Sequence, residues 1–178
     1  MDIRLFSYSL LVLAIGAYFI PVNNKAKNDD IKDIPLVVFE KPIMFTLSEN
    51  NLTRIVNSSH VIRYKSRDEM YDTNIFLKNS LDEKEYKYET LEAQFIMKEG
   101  NNLSLQKDVK YNRDNFINLK TDSMYYNLKT NLTRNDVPYD GYYYNNFING
   151  TNLYLDGKKN YMKSEDVHFE IEIKSKGK

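Results

Sequence analysis

Cysteine is absent from the 178 residues. Disulfides, a thiol nucleophile, thiolate metal sites and a lipidated N-terminal cysteine are excluded together. A domain built from this chain must stand on packing and strand pairing alone. Tryptophan is also absent, glycine and proline number 6 and 4, and the only histidines are His60 and His168. Neither histidine sits in HExxH or a similar ligand spacing, and no GxSxG, P-loop or dinucleotide glycine fingerprint occurs. Charge of one sign is missing as well: 25 basic and 25 acidic side chains give a formal net charge of zero. No basic field is available to attract nucleic acid. Adjacent acids such as Asp82-Glu83 and Glu165-Asp166 fall among turn residues and read as solvated, because paired catalytic carboxylates need a cleft and opposed environments. An enzyme is not expected, nor a metal or cofactor.

Long apolar runs are lacking with one exception. Leu5 to Val22 carries no charge, and its 18 residues would make a helix of about 27 Å. The hydrocarbon core of a bilayer is ~30 Å. Residues 1–4, including Arg4, would stay cytoplasmic, an orientation that Lys25 and Lys27 on the far side oppose. A cleaved signal peptide is the alternative, with small residues at Ala14-Ile15-Gly16. In either case the domain beyond the apolar run is expected to be extracytoplasmic. Residues 23–35 are polar and read as a linker, and 175–178 as a tail.

Between them, residues 36–174 read as short strands. Signals begin at Leu36-Val37-Val38-Phe39-Glu40, break at Pro42 and resume at Ile43-Met44-Phe45-Thr46-Leu47. His60 to Tyr64 and Tyr71 to Leu77 are further candidates. Gly100-Asn101-Asn102 and Asp156-Gly157 mark turns. In the last strand Val167, Phe169, Ile171 and Ile173 alternate with His168, Glu170, Glu172 and Lys174, one apolar and one wet face at period two. No sustained helical period occurs beyond the apolar run. Leu119-Lys120-Thr121-Asp122-Ser123-Met124-Tyr125-Tyr126 is loosely echoed by Met162-Lys163-Ser164-Glu165-Asp166-Val167-His168-Phe169, and more weakly around Glu92-Ala93-Gln94-Phe95-Ile96-Met97. Each begins apolar, passes a small-plus-acidic step and ends in alternating large side chains. The spacing is irregular, so this is recurrence of strand pairs, which suits a jelly roll, rather than a solenoid.

Tyr142-Tyr143-Tyr144, with Tyr139 upstream, lacks the interleaved basic residues that base stacking would need and reads as packing on a β-surface, with sugar contact as the alternative. Five asparagines match N-x-S/T: Asn51, Asn57, Asn102, Asn131 and Asn149. Only Asn51 has an acid two places upstream, like the longer acceptor pattern of some bacterial oligosaccharyltransferases, and it is the glycosylation candidate. The apolar residues Phe95, Met97, Leu103, Leu105, Val109, Met124, Tyr126, Leu153, Leu155, Val167, Phe169, Ile171 and Ile173 are expected to share one face. That face is either an ordinary core or a trough.

The order of these pieces resembles the LptC family, the single-span periplasmic component of the lipopolysaccharide transport machine. The resemblance rests on the anchor, the linker and the strands around Val38-Phe39-Glu40. It continues through Leu119-Lys120-Thr121-Asp122 leading into Tyr125-Tyr126-Asn127-Leu128, then Ile148-Asn149-Gly150 to Asp156-Gly157, Met162-Lys163-Ser164 and the closing Val167 to Ile173. Two departures stand out: Lys107-Asp108 replaces the glycine usual before the strand valine, and Val56 to Leu81 matches little. The resemblance implies a twisted antiparallel β-jelly roll behind one transmembrane helix at the inner membrane. Its interior would hold acyl chains of lipopolysaccharide or lipooligosaccharide, received from an inner-membrane ABC transporter and passed to a periplasmic LptA-like bridge protein. It makes Phe95, Met97, Leu103, Leu105, Met124, Tyr126, Leu153, Leu155, Val167 and Phe169 lipid contacts. Val38, Phe39, Gly150, Ile171 and Ile173 become a partner-binding edge. A soluble LptA-like bridge protein with a cleaved signal, or an anchored structural or adhesive β-domain, are the competing expectations.

Overall fold

The computed structural model describes residues 33–48, 51–78, 87–114 and 116–171, with the side chain of Asn51 left aside. The expected anchor at 5–22, the charged turn at Leu81 to Lys84, and Ile173 lie outside the described residues. Among those described there is no helix, and none is long and apolar enough to cross a membrane.

Twelve strands form one antiparallel sheet within the unit Ile34–Lys178. They are β1 (Val37–Glu40), β2 (Ile43–Ser48), β3 (Asn51–Asn57), β4 (His60–Arg63), β5 (Asp68–Lys78), β6 (Tyr88–Glu99), β7 (Asn102–Arg113), β8 (Ile117–Asn127), β9 (Leu132–Arg134), β10 (Tyr139–Tyr143), β11 (Asn146–Asp156) and β12 (Tyr161–Glu170). The order β1-β4-β5-β6-β7-β8-β10-β11-β12 defines the main path. The β2–β3 hairpin joins β5, and β9 lies between β8 and β11.

A crease runs across this sheet. β5 carries Asp72 at φ 43°, β7 carries Lys107 and Asp108 at 64° and 49°, β11 carries Asn152 at 51° and β12 carries Asp166 at 49°. The ladders shift at the same level, between Glu92 and Phe95, Gln106 and Val109, and Asn149 and Tyr154. Such bulges bend a strand and increase its twist. The short strands break there instead of bending: β1 and β2 at Lys41-Pro42, β3 and β4 at Ser58-Ser59, β9 and β10 at residues 135–138. Side-chain bonds among small polar residues gather at the bends. Thr73 Oγ1 donates to Ser58 Oγ (2.9 Å), Asn135 Nδ2 to Thr121 Oγ1 (2.6 Å), Tyr139 Oη to Ser164 Oγ (2.8 Å) and Ser164 Oγ to the Thr151 carbonyl (2.8 Å).

The sheet folds over along this line. Tyr126 is in register, through Leu103, with Lys98. Glu89 lies nine positions from Lys98 on the same strand, roughly 30 Å away if the strand were straight. Yet the Tyr126 hydroxyl donates to Glu89 Oε2 at 2.6 Å. Two layers therefore face one another, joined at the crease. β1, β4 and β9 belong to one, β2, β3 and β10 to the other, and the long strands pass through both. The inward residues of both layers form one core that includes Val61, Ile75, Leu91, Ile96, Leu105, Tyr111, Leu119, Met124 and Leu153. The expected all-β class holds, and a twisted antiparallel sheet folded in this way is consistent with a jelly roll.

Candidate binding interior and open sheet edges

Six of the expected lipid contacts, Leu103, Leu105, Met124, Tyr126, Leu153 and Leu155, lie in the core and are at most 3% exposed. They pack against one another. Phe95 and Met97 do not join them. The bulge at Ala93-Gln94 changes which residues of β6 point inward, so Ile96 is buried and pairs with Leu105, while Phe95 and Met97 turn to the outer face. Phe95 there packs on the Tyr71 ring with centroids 5.3 Å apart. Nothing in Phe95-Ile96-Met97, all apolar, announces that change. Phe169 pairs with the buried Ile148 and thus shares the inward side. However, β12 is the last strand, no layer covers it, and Phe169 and Val167 stay 43% and 47% exposed.

Beside the packed core the interior is open. A cavity of about 250 Å³ separates β2 and β3 from β4, β5 and β6, with Met44, Val56, Val61, Met70 and Ile75 on its walls. An engineered cavity of about 150 Å³ accepts benzene, so this space suits a chain segment and not several whole chains. Its polar groups are Thr46, Arg54, Arg63, Asp68 and Lys98. Arg63 clamps Asp68 through Nε–Oδ1 (2.7 Å) and Nη2–Oδ2 (3.0 Å), and Lys98 Nζ approaches the same carboxylate at 3.9 Å. Those bonds hold Asp68 below the usual carboxylate range, against the opposing effect of its partial burial. Arg54 is different. Burial pushes its guanidinium below the usual arginine value, which the neighbouring Tyr126 only partly offsets, and its Nε is buried with no hydrogen-bond partner. Sequence reasoning misses Arg54 and Lys98. Their single signal is a cation in phase with inward apolar residues, Arg54 two places before Val56 and Lys98 two places after Ile96.

Towards the centre, the free rims of the two layers are tied together. Glu89 (2% exposed) accepts from Arg113 Nε (2.9 Å), from the Tyr111 hydroxyl (3.1 Å) and from the Tyr126 hydroxyl, with Arg113 Nη2 2.7 Å from Oε1. A Cβ on Gly157 would stand 2.6 Å from Arg113 Nη2, so the absent side chain lets the guanidinium through. A second, outer groove of about 740 Å³ runs by Tyr125, Arg134 and Tyr154, which are paired across β8, β9 and β11. Several of its amides are already engaged, Asn127 with Asn102 and Asn152 with Glu165.

Both lateral edges are unpaired among the described residues. At one, Val38 and Phe39 of β1 are exposed, and Ile43, Phe45 and Leu47 of β2 form an outward row at 59–69% exposure. At the other stand Val167, Phe169 and Ile171. Gly150, expected at an edge, is instead buried in the internal strand β11 between β10 and β12. A Cβ there would meet the Glu165 carbonyl at 2.8 Å and Ser164 Oγ at 2.9 Å. Its role is close packing at the crease. Asn51 opens β3, opposite Ser48. Tyr142, Tyr143 and Tyr144 are exposed and pack among themselves and on Phe116 and Phe147, whereas Tyr139 is buried.

Neither histidine joins a cluster: His60 pairs with Glu40 (2.9 Å) and His168 with Glu170 (2.9 Å). Among the described residues no group of three or more His, Asp or Glu is placed to hold a metal ion. No protein-family model matches the chain, and no curated protein matches it in sequence.

Proposed function

We propose that this protein is a membrane-tethered lipopolysaccharide or lipooligosaccharide transfer protein of the LptC type. It takes glycolipid from an inner-membrane ABC transporter and hands it to a periplasmic bridge protein of similar fold. The observation that carries the reading is the folded sheet itself: an apolar interior, partly open at one corner, between two unpaired apolar edges. Unpaired edges are ordinarily an aggregation hazard, and they become docking surfaces when a partner adds its own strands. The energetics also suit a relay. A buried methylene gains about 0.8 kcal/mol, so a fully enclosed twelve-carbon chain would be held by about 10 kcal/mol and would leave slowly. A domain that passes its cargo on needs an interior that opens and covers the chain only in part. The tether would keep it beside its donor through effective concentration.

Photocrosslinking residues at positions 124 and 169, both on the inward side, should capture glycolipid in cells while export is running, with position 125 on the outer face as the control. Capture at neither inward position, or equal capture at 125, rejects the reading. Sequencing the mature N-terminus separates the tethered form from a soluble bridge protein with a cleaved signal.

A further inference from the structure

We infer that the cavity beneath the β2–β3 hairpin is a binding site for a single lipid chain together with a phosphate monoester of its head group, with Arg54 as the group that holds the anion. The inference rests on the relay reading for the lipid nature of its ligand and goes further by naming the part bound and the residue that binds it.

Arg54 is half-buried, and a guanidinium partly withdrawn from water without a counter-ion is costly. Among the described residues no carboxylate lies within ion-pair distance of Arg54, and its Nε finds no acceptor. Arginine's five donors form a planar fork that matches a phosphate bidentately. Asp68 is bonded through both of its oxygens to Arg63. The cavity thus holds three cations, Arg54, Arg63 and Lys98, against one carboxylate, a local charge of +2 in a chain whose net charge is zero. That excess fits a phosphate monoester, about −1.5 to −2 near pH 7, better than the single charge of a carboxylate. Apart from Thr46 the remaining wall is apolar, from Met44, Val56, Met70 and Ile75 among others, and has no use for a free inorganic ion. Head and chain are recognised together.

The test uses the full chain held in amphipol, with octyl phosphate below its micelle concentration as probe and phosphorus NMR as readout. Octanol and inorganic phosphate serve as half-ligands, followed through their competition with octyl phosphate. Octyl phosphate should saturate one site, and each half-ligand should bind at least about tenfold more weakly. Arg54→Met should weaken octyl phosphate binding by about tenfold or more, the loss expected for a hydrogen bond to a charged group. The same variant without ligand should melt higher, by up to about 2–4 °C, since it removes a half-buried charge whose Nε has no acceptor. Lys158→Met, at an exposed turn, should change neither. Three results would each overturn the inference: unchanged octyl phosphate affinity in Arg54→Met, octanol or inorganic phosphate binding as tightly as octyl phosphate, or a lower melting temperature for the variant. The two readings also fail separately. Crosslinks at 124 with no effect of Arg54→Met remove the phosphate site and leave the relay. A clear Arg54→Met effect with no glycolipid crosslinks keeps the site and removes the relay.

Discussion

Replacing Arg113 with methionine should destabilise the domain more than truncating any other single polar side chain of its interior. Glu89 would keep the Tyr111 and Tyr126 hydroxyls, at 3.1 and 2.6 Å, and lose the cation with its two nitrogens at 2.7 and 2.9 Å. Breaking a buried pair from one side costs about 3–5 kcal/mol, because the remaining charge stays desolvated. A domain of this size has about 5–15 kcal/mol in total, so the urea midpoint should move far and the least stable preparations should unfold. Two further variants grade the effect. Tyr126→Phe removes one hydrogen bond to a charged group, about 1.5–3 kcal/mol. Glu89→Leu combined with Arg113→Met removes both charges and should recover most of the loss, since apolar replacement of a whole buried pair is often neutral or favourable. Equilibrium urea unfolding followed by circular dichroism measures all three. A cost for Arg113→Met below about 1 kcal/mol, or one smaller than that of Tyr126→Phe, would show that the buried Glu89 does not depend on its cation in this way.

Other outcomes rest on single contacts. Asp68 is held below its unfolded value of about 3.9 by Arg63, so its contribution is present above that pH and is lost as pH falls through the lower, folded value. With Arg63 half exposed, that contribution is at most about 1 kcal/mol, and Asp68→Asn should flatten the stability–pH curve below about pH 4 by that amount. Gly141→Ala would drive its Cβ into the Asn118 backbone carbonyl and should prevent folding or cost more than about 3 kcal/mol. Gly150→Ala, which meets the Glu165 carbonyl and a side chain that can turn, should cost about 1–3 kcal/mol in the same thermal melts. Phe45→Lys with Leu47→Lys, both on the exposed row of β2, should change stability by less than about 0.5 kcal/mol per site. If this edge docks partners, the pair should abolish concentration-dependent association in sedimentation.

Much of the fold is legible in the sequence because the crease has a local chemistry. The echo that reads as strand-pair recurrence falls on it: Ala93-Gln94, Thr121-Asp122 and Ser164-Glu165-Asp166 all lie at that level. A small residue accompanies an acid or amide at each bend, and in the last of the three the acid, Asp166, takes the left-handed backbone at φ 49°. Lys107-Asp108, which departs from the expected glycine, supplies two consecutive left-handed residues at the same place. What the pattern hides also has physical causes. Period two fixes sides only until a bulge, so Phe95 and Met97 stand on the face opposite the expected one. Gly141 and Gly150 look alike in sequence, and only the opposing backbone separates them. Sequence reasoning passes over Arg54, Glu89 and Arg113, because alternation alone does not say when a charged residue sits on the inward phase.

The two ties between the layers are unequal, and this decides where the interior opens at least cost. In the middle, β6, β7 and β8 are hydrogen-bonded along nearly their whole length, and the Glu89–Arg113–Tyr126 network joins the opposing rims. Among the described residues the β2–β3 hairpin is paired with the long strands by the short ladder from Arg54↔Leu77 to Asn57↔Asn74, and Ser58-Ser59 gives it a break at the crease. Its far strand, β2, buries little beyond Met44. Local opening occurs first in the region with fewest buried apolar contacts. Hydrogen exchange should therefore proceed faster at amides of β2 and β3 than at the paired amides of β7 and β8, by a factor that grows as Arg54 is left without an anion. Equal protection across these strands would mean that the cavity is sealed as firmly as the core, and a chain would then have to enter past the buried Glu89 network instead.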